Sequence, residues 1–244
     1  MKVVVVSPHL DDAVLSVGAT MHHVARAGVD VRLVTVFAGD VERPGRASYW
    51  DAKRGVDDKV AVAQARREED AAAAAVLGVE PVWLPFDDGA YVSPRDPDGI
   101  WSALAPHLDG ASAVLLPGWP LTHPDHRFAT MLVVQRVRAD APLLFWAEMP
   151  YGAHPMAVAK GMIRGRRSAP LAHAYGGALE WRLSPATKDD FAAKRAAVPC
   201  YAGELQNLGR DARFAALHDR LIRREMLAWA ADRELPAAIF GRPA

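Results

Sequence analysis

Apolar and polar positions along the chain fall into two alternating kinds of stretch. Short apolar runs, too unbroken to leave a solvated face, recur at Val3–Val6, Val31–Phe37, Pro81–Leu84, Ala113–Leu116 and Leu143–Trp146. Runs of this length and character read as strands buried on both faces of a parallel sheet. Between them lie longer stretches with helical spacing. Ala13–Ala27 places Val14, Leu15, Met21 and Val24 on one side and is followed by Gly28, and Lys59–Leu77 is closed by Gly78. Gly99–Leu108 and Pro124–Arg138 complete the series. A glycine just past the last periodic residue stops a helix, and a proline in the first turn suits a start. The alternation predicts an α/β fold: a Rossmann-like, doubly wound, mostly parallel sheet of order 3-2-1-4-5 with helices on both faces.

Elsewhere the pattern is less regular. Ala38–Asp58 mixes glycine, proline and charge without a period and reads as a long loop, a kind that in compact domains is functional or disordered. Pro85–Pro97, with Asp87, Asp88 and Tyr91, is a second. From Gly152 to Pro185 the chain is rich in glycine, proline and arginine, and a loop, a small hairpin and a subunit contact, hence a homo-oligomer, all fit. Helices are predicted over about Ala186–Val198 and Arg213–Asp232. No internal repeat or interdomain linker is visible. Residues 1–244 therefore read as a single domain, with a core over about 1–150 and an irregular C-terminal extension over about 151–244.

Composition narrows the partners. With 51% apolar residues in 244, a substantial core is available. Lys and Arg number 29 against 29 Asp and Glu, with no long run of one sign, so neither nucleic acid nor an anionic membrane is expected. A small molecule is the expected partner. No apolar run approaches the roughly 20 residues of a membrane span. The single Cys200 excludes an internal disulfide, and no charged leader precedes the first strand, so the expected compartment is the cytoplasm. Phosphate-cradling motifs and the GxSxG nucleophile elbow are absent.

The chemistry collects after two strands. His9, Asp11 and Asp12 follow the first, and His123-Pro124-Asp125-His126 follows the fourth. In the order 3-2-1-4-5 these strands are neighbours, so the two turns face each other at the switch point where open α/β sheets bind ligands. Each outer pair is spaced i,i+3 and can share one face of a first helical turn. His9, Asp12 and His126 would supply two imidazoles and a carboxylate with one position open for water, as catalytic zinc sites do; Asp11 and His123 would stand beside the metal. Plainer readings compete. An aspartate at a helix start is often only a cap, and an isolated HPDH is often a solvated turn.

These residues resemble a known family. SPHLDDAVLS followed by HPDH is similar to the PIG-L/LmbE-like metal-dependent N-deacetylases. The likeness continues through Thr35–Asp40, Arg66 with Glu69, Asp88, Glu148–Tyr151, and Lys194 with Tyr201. The resemblance implies zinc, or another divalent metal such as Fe2+, on His9, Asp12 and His126, and Asp11 as general base. It gives His123 the assisting of the tetrahedral intermediate, Asp125 the orienting of that ring, and Arg66 and Asp88 the substrate hydroxyls, although Arg66 can equally pair with Glu69; on chemical grounds a metal with an imidazolium beside it can stabilise the oxyanion. The implied reaction removes an N-acetyl or other N-acyl group from an amino sugar or a glycoside containing one. Two other readings stay open, a non-haem iron oxygenase built on the same His/Asp/His set and a catalytically silent sugar-binding relative. Leu10 and Ala13 depart from the commoner HPDDE signature, and Ala13 removes a carboxylate that could steady a ligand.

Overall fold

In a computed structural model, the structure describes residues 1–137, 142–151, 156, 179–208 and 224–230. Its centre is a seven-stranded sheet. Strand β1 (Lys2–Ser7) lies between β2 (Asp30–Thr35) and β4 (Ala113–Trp119), β3 (Glu80–Trp83) lies outside β2, and β5 (Leu143–Ala147) lies outside β4. These five are parallel, in the expected order, and β1 meets β4 with Val3 opposite Ala113 and Val5 opposite Leu115.

The valine run shows why this sheet forms. Val3 and Val5 enter one buried cluster with Leu33, Leu115 and Trp146, while Val4 and Val6 enter the other with Val34, Leu116 and Phe145. Because successive side chains point to opposite faces, only a strand covered on both sides can be apolar at every position. Helices α1 (Asp12–Arg26) and α2 (Lys59–Leu77) cover the first face with α5 (Lys188–Ala197). Helices α3 (Pro97–Leu108) and α4 (Pro124–Arg136) cover the second. Asp58 caps α2 by accepting from the Val60 and Ala61 amides, and Gly78 ends it in the left-handed region at φ 67°. Among the described residues no helix is long and apolar enough to cross a membrane.

The C-terminal part corrects the sequence reading. Strand β7 (Met226–Ala230) occupies part of the predicted helix Arg213–Asp232, and β6 (Leu179–Leu183) occupies part of the unclassified 152–185 segment. They extend the sheet antiparallel, in the order β5-β7-β6. The described part of the extension is therefore two antiparallel strands and helices rather than irregular chain. Residues 213–223 and 231–232 of that predicted helix lie outside the described residues, as do His154, His173, His218 and Arg164, Arg166 and Arg167. A short helix, α6 (Ala202–Leu208), follows α5.

Helix α1 is broken. Val17 has φ −134° and ψ 23°, so the turn beginning at Asp12 is set apart from the rest of the helix. The buried Glu225 accepts from the Ala19 and Thr20 amides, both at 2.8 Å, and from Lys194 Nζ at 2.7 Å. A carboxylate at an internal helix start satisfies donors that the break leaves without intrahelical partners. His22 and His23 both contact the buried Asp190 carboxylate through Nδ1, at 2.8 and 3.0 Å.

Candidate active site

Three strand ends build the site. After β1, Ser7 Oγ donates to the His9 carbonyl at 2.6 Å and accepts the Ala13 amide at 3.1 Å, bracing the turn from inside. Asp11 is the N-cap residue of α1, yet its side chain makes no capping hydrogen bond. Asp12 Oδ2 accepts the His9 amide at 2.9 Å and also faces the His9 ring. Neither aspartate is a plain helix cap. After β4, His123 caps α4, its Nδ1 accepting the Asp125 amide at 3.3 Å, and Pro124 occupies the first helical position as expected. His126 is 1% exposed, which a solvated turn would not produce. After β5, Glu148 reaches His126 Nδ1 at 2.5 Å and accepts the Leu121 amide at 2.5 Å.

His9 Nδ1, Asp12 Oδ2 and His126 Nε2 form a triangle with edges of 3.1, 3.0 and 3.3 Å. Tetrahedral zinc with bonds of 2.0–2.1 Å spaces its ligands by roughly 3.3 to 3.4 Å, so this donor set fits such an ion. A second set overlaps it: one nitrogen from each of His9, His123 and His126 lies within 4.8 Å of the others. The Asp12 triangle is tighter, and His123 already has one ring nitrogen engaged as a helix cap. The other nitrogens of these two imidazoles face carboxylates, Asp125 Oδ2 at 3.2 Å from His9 Nε2 and Glu148 at His126 Nδ1. Such partners fix ring orientation and ligand basicity. Ala13 withholds a carboxylate, and Asp125 and Glu148 hold both rings from other elements. Asp125 lies nearer to His9 than to His123, whose Nδ1 is 4.0 Å away.

The surroundings separate groups of the same kind. Burial raises Asp11, and Asp12 and Glu204 add to this against the opposing Arg66, bringing it to about 7. Burial would raise Asp12 as well, but His126 and His9 hold it well below the usual carboxylate range. Burial works against a charge on His126, yet Asp12 and Glu148 outweigh it and bring that ring to about 9 in the metal-free chain. Burial and then the neighbouring His9 and His126 push His123 down to about 3. His123 is thus a neutral imidazole near neutral pH. With Nδ1 accepting from Asp125, its proton resides on Nε2.

Above these groups opens a cavity of about 630 Å³. Ser48 and Trp50 from the loop after β2, Asp88 and Arg95 from the loop after β3, Tyr151 and Glu204 form its walls. His9, Asp11, Asp12, Arg66, His123 and Asp125 also line it, and His126 lies buried behind them. All eight residues singled out in the sequence therefore gather at one place. Arg66 faces Asp51 at 3.4 Å and Glu204 at 3.7 Å, while Glu69 accepts the Gly203 amide at 2.9 Å. Sequence reasoning gave no role to Glu148, Arg95, Tyr151 or Glu204. Glu148 carried a usable signal, being a polar residue just past a buried strand on the edge that carries His9 and His123. Arg95 and Glu204 sit at no diagnostic spacing.

The sequence pattern of the family described as PIG-L, GlcNAc-PI de-N-acetylase, matches residues 4–137. A 2'-N-acetylparomamine deacetylase of Niallia circulans is 23% identical over 181 residues, 60% of this chain and 66% of that protein. The crystal structure of the A40926 pseudoaglycone deacetylase Dbv21 aligns with a TM-score of 0.70 at 27% identity, covering 93% of this chain and 96% of the other. The zinc-inhibited form of the teicoplanin deacetylase Orf2 aligns at 0.72 and 21% identity, over 96% of this chain and all of that one, which shows a shared fold.

Proposed function

The chain belongs to the PIG-L, GlcNAc-PI de-N-acetylase, family, whose pattern matches more than half of it, and from that premise we propose that it is a divalent-metal-dependent hydrolase removing an N-acetyl or related N-acyl group from an amino sugar or a glycoside containing one. The observation that carries this reading is the triangle of His9 Nδ1, Asp12 Oδ2 and His126 Nε2 at the floor of the cavity, with the uncapped Asp11 beside it. Zinc is the metal that best suits two imidazoles and a carboxylate with an open position, and Fe2+ suits the same donors. Bound there, such an ion supplies an acidified water and a Lewis acid for the amide carbonyl.

The residues divide the remaining work. Asp11, poised at about 7, takes the proton of the attacking water and delivers it to the departing amine, since a carboxyl near neutrality can serve as both base and acid. His123 donates from Nε2 to the carbonyl oxygen as charge develops on it. This neutral donor takes the place of the imidazolium expected from sequence, because burial and two neighbouring imidazoles disfavour its charge. Asp125 and Glu148 hold the ligand rings, and Arg66 and Asp88 present charged groups to substrate hydroxyls. The bond broken is the amide C–N bond, and the products are a carboxylate and a free amine.

A cavity of about 630 Å³ falls within the roughly 300–1,000 Å³ usual for sites that enclose drug-sized ligands, so a glycoside suits it better than a bare monosaccharide. The relatives named as a 2'-N-acetylparomamine deacetylase and an A40926 pseudoaglycone deacetylase support this. The same relatives favour hydrolysis over the oxygenase reading, and the retained donors and base favour an active enzyme over a silent one. We further propose that the whole chain works as one domain, in the cytoplasm.

Metal analysis and acetate release test the reading together. The zinc-supplied protein should hold about one divalent ion per chain and liberate acetate from at least one member of a panel of N-acetylated amino sugars and glycosides. Protein that takes up no divalent metal and releases no acetate anywhere on the panel would sink it.

A further inference from the structure

The loop after β3 is fastened to the metal-binding turn by one carboxylate. Asp125, in the first turn of α4, is buried, with hydrogen bonds on one oxygen and an ion pair on the other. Its Oδ2 faces His9 Nε2 at 3.2 Å and accepts the Gly89 amide at 3.1 Å, while Oδ1 pairs with the Arg95 guanidinium. Gly89 and Arg95 both belong to the 85–96 loop, which also carries Asp88 to the cavity wall. The guanidinium lies over two neighbouring aromatic rings, 5.5 Å from the Phe37 centroid and 5.1 Å from that of Phe128. A Cβ at position 89 would run into the Arg95 guanidinium and come within 3.0 Å of Asp125 Oδ1, so the ion pair would have to shift to admit one.

We propose that Arg95 is a positioning residue that locks the substrate-side loop onto the metal ligands through Asp125, so that metal binding and ordering of the loop are coupled. The inference rests on the reading of His9, Asp12 and His126 as metal ligands. A buried carboxylate stripped of its cationic partner is an uncompensated charge, and Asp125 without Arg95 would have to shift or draw in water. Either change disturbs the His9 ring that it orients, and groups behind a metal ligand are worth a large part of its affinity. Coupling of this kind is reciprocal: whatever the ion does to order the loop, the ordered loop does for the ion. Arg95 is suited to the task because its permanent charge offsets the buried carboxylate while its face packs on phenyl rings. A loop that presents Asp88 to substrate is thereby set by the state of the metal site.

The test uses the full chain as wild type, Arg95→Leu, Arg95→Lys and Gly89→Ala. Zinc affinity is measured by competition with a chromogenic chelator, and amide hydrogen exchange over residues 89–92 is measured with and without zinc. In the wild type, zinc should slow exchange across this segment. Arg95→Leu should abolish the slowing and weaken zinc binding by about 10- to 100-fold. Gly89→Ala keeps both partners of the ion pair but wedges them apart, and should do the same. Arg95→Lys should restore part of both effects. If Arg95→Leu loses its native circular dichroism, the Gly89→Ala and Arg95→Lys proteins decide the matter. Zinc affinities within about twofold of wild type, with zinc-dependent slowing intact in the folded variants, overturn the inference. A wild type that takes up no zinc overturns the metal reading and this inference together, whereas uptake without coupling overturns this inference alone.

Discussion

Asp11 and Asp12 are adjacent and chemically identical, and the fold drives their protonation apart. Asp12 lies between two imidazoles and stays charged, whereas Asp11 faces a buried wall with Asp12 and Glu204 nearby and rises to about 7. Asp11→Asn should therefore leave metal uptake unchanged while cutting turnover by about 10²- to 10⁴-fold, the usual contribution of a general base; metal analysis beside an acetate assay checks both halves. Glu148→Ala should act in the opposite way, weakening metal binding by about 10- to 100-fold through the freed His126 ring, as read by chelator competition. Asp70 supplies a prediction about pH. Burial raises it to about 6, despite hydrogen bonds from Tyr201 and Trp83. A carboxyl raised in the folded state binds more protons there than in the unfolded chain. Folding stability should then fall as pH rises from about 4 through 6, by an amount on the order of 3 kcal/mol. Denaturant titrations from pH 4 to 7 should show this slope together with a contribution of the same sign from Asp11, and Asp70→Asn should make it shallower without abolishing it.

At the level of elements, the sequence disclosed most of what its own periodicity controls. The five parallel strands and the first four helices follow from unbroken apolar runs separated by helical spacing, and β1 beside β4 joins the turns that carry His9 and His126. The two antiparallel strands were hidden for different reasons. Met226–Ala230 is a short run without polar alternation, because β7 lies between β5 and β6, and such a run inside a stretch rich in alanine, leucine and arginine cannot be told from a helix by period alone. Leu179–Leu183 does alternate, with Leu179, Trp181 and Leu183 against Glu180 and Arg182, but glycine, proline and arginine upstream mask it. Nor does any local signal announce the broken α1, since its cap comes from Glu225. Truncating that cap should be costly. Glu225→Ala leaves Lys194 buried without its partner and removes the acceptor of two helix amides, and is expected to cost about 3–5 kcal/mol of stability, readable by urea unfolding. The double variant Glu225→Ala/Lys194→Met should recover part of that loss.

For the molecule as a whole, a metal held by residues from the turns after two different strands binds the folded chain alone. Zinc at a thousandfold excess over its dissociation constant should then add about 4 kcal/mol of stability. In a domain of this size that corresponds to a melting point higher by roughly 8–16 °C. Thermal melts with zinc and with chelator would show the difference, and His126→Ala should erase it. The break in α1 has a further consequence, one of timing. The amides of Ala19 and Thr20 are satisfied by a carboxylate 206 and 205 positions further along. On the ribosome, where chains emerge at roughly 5–20 residues per second, the helix that carries Asp12 stays unfinished for roughly 10–40 seconds after it emerges, until Glu225 has been made.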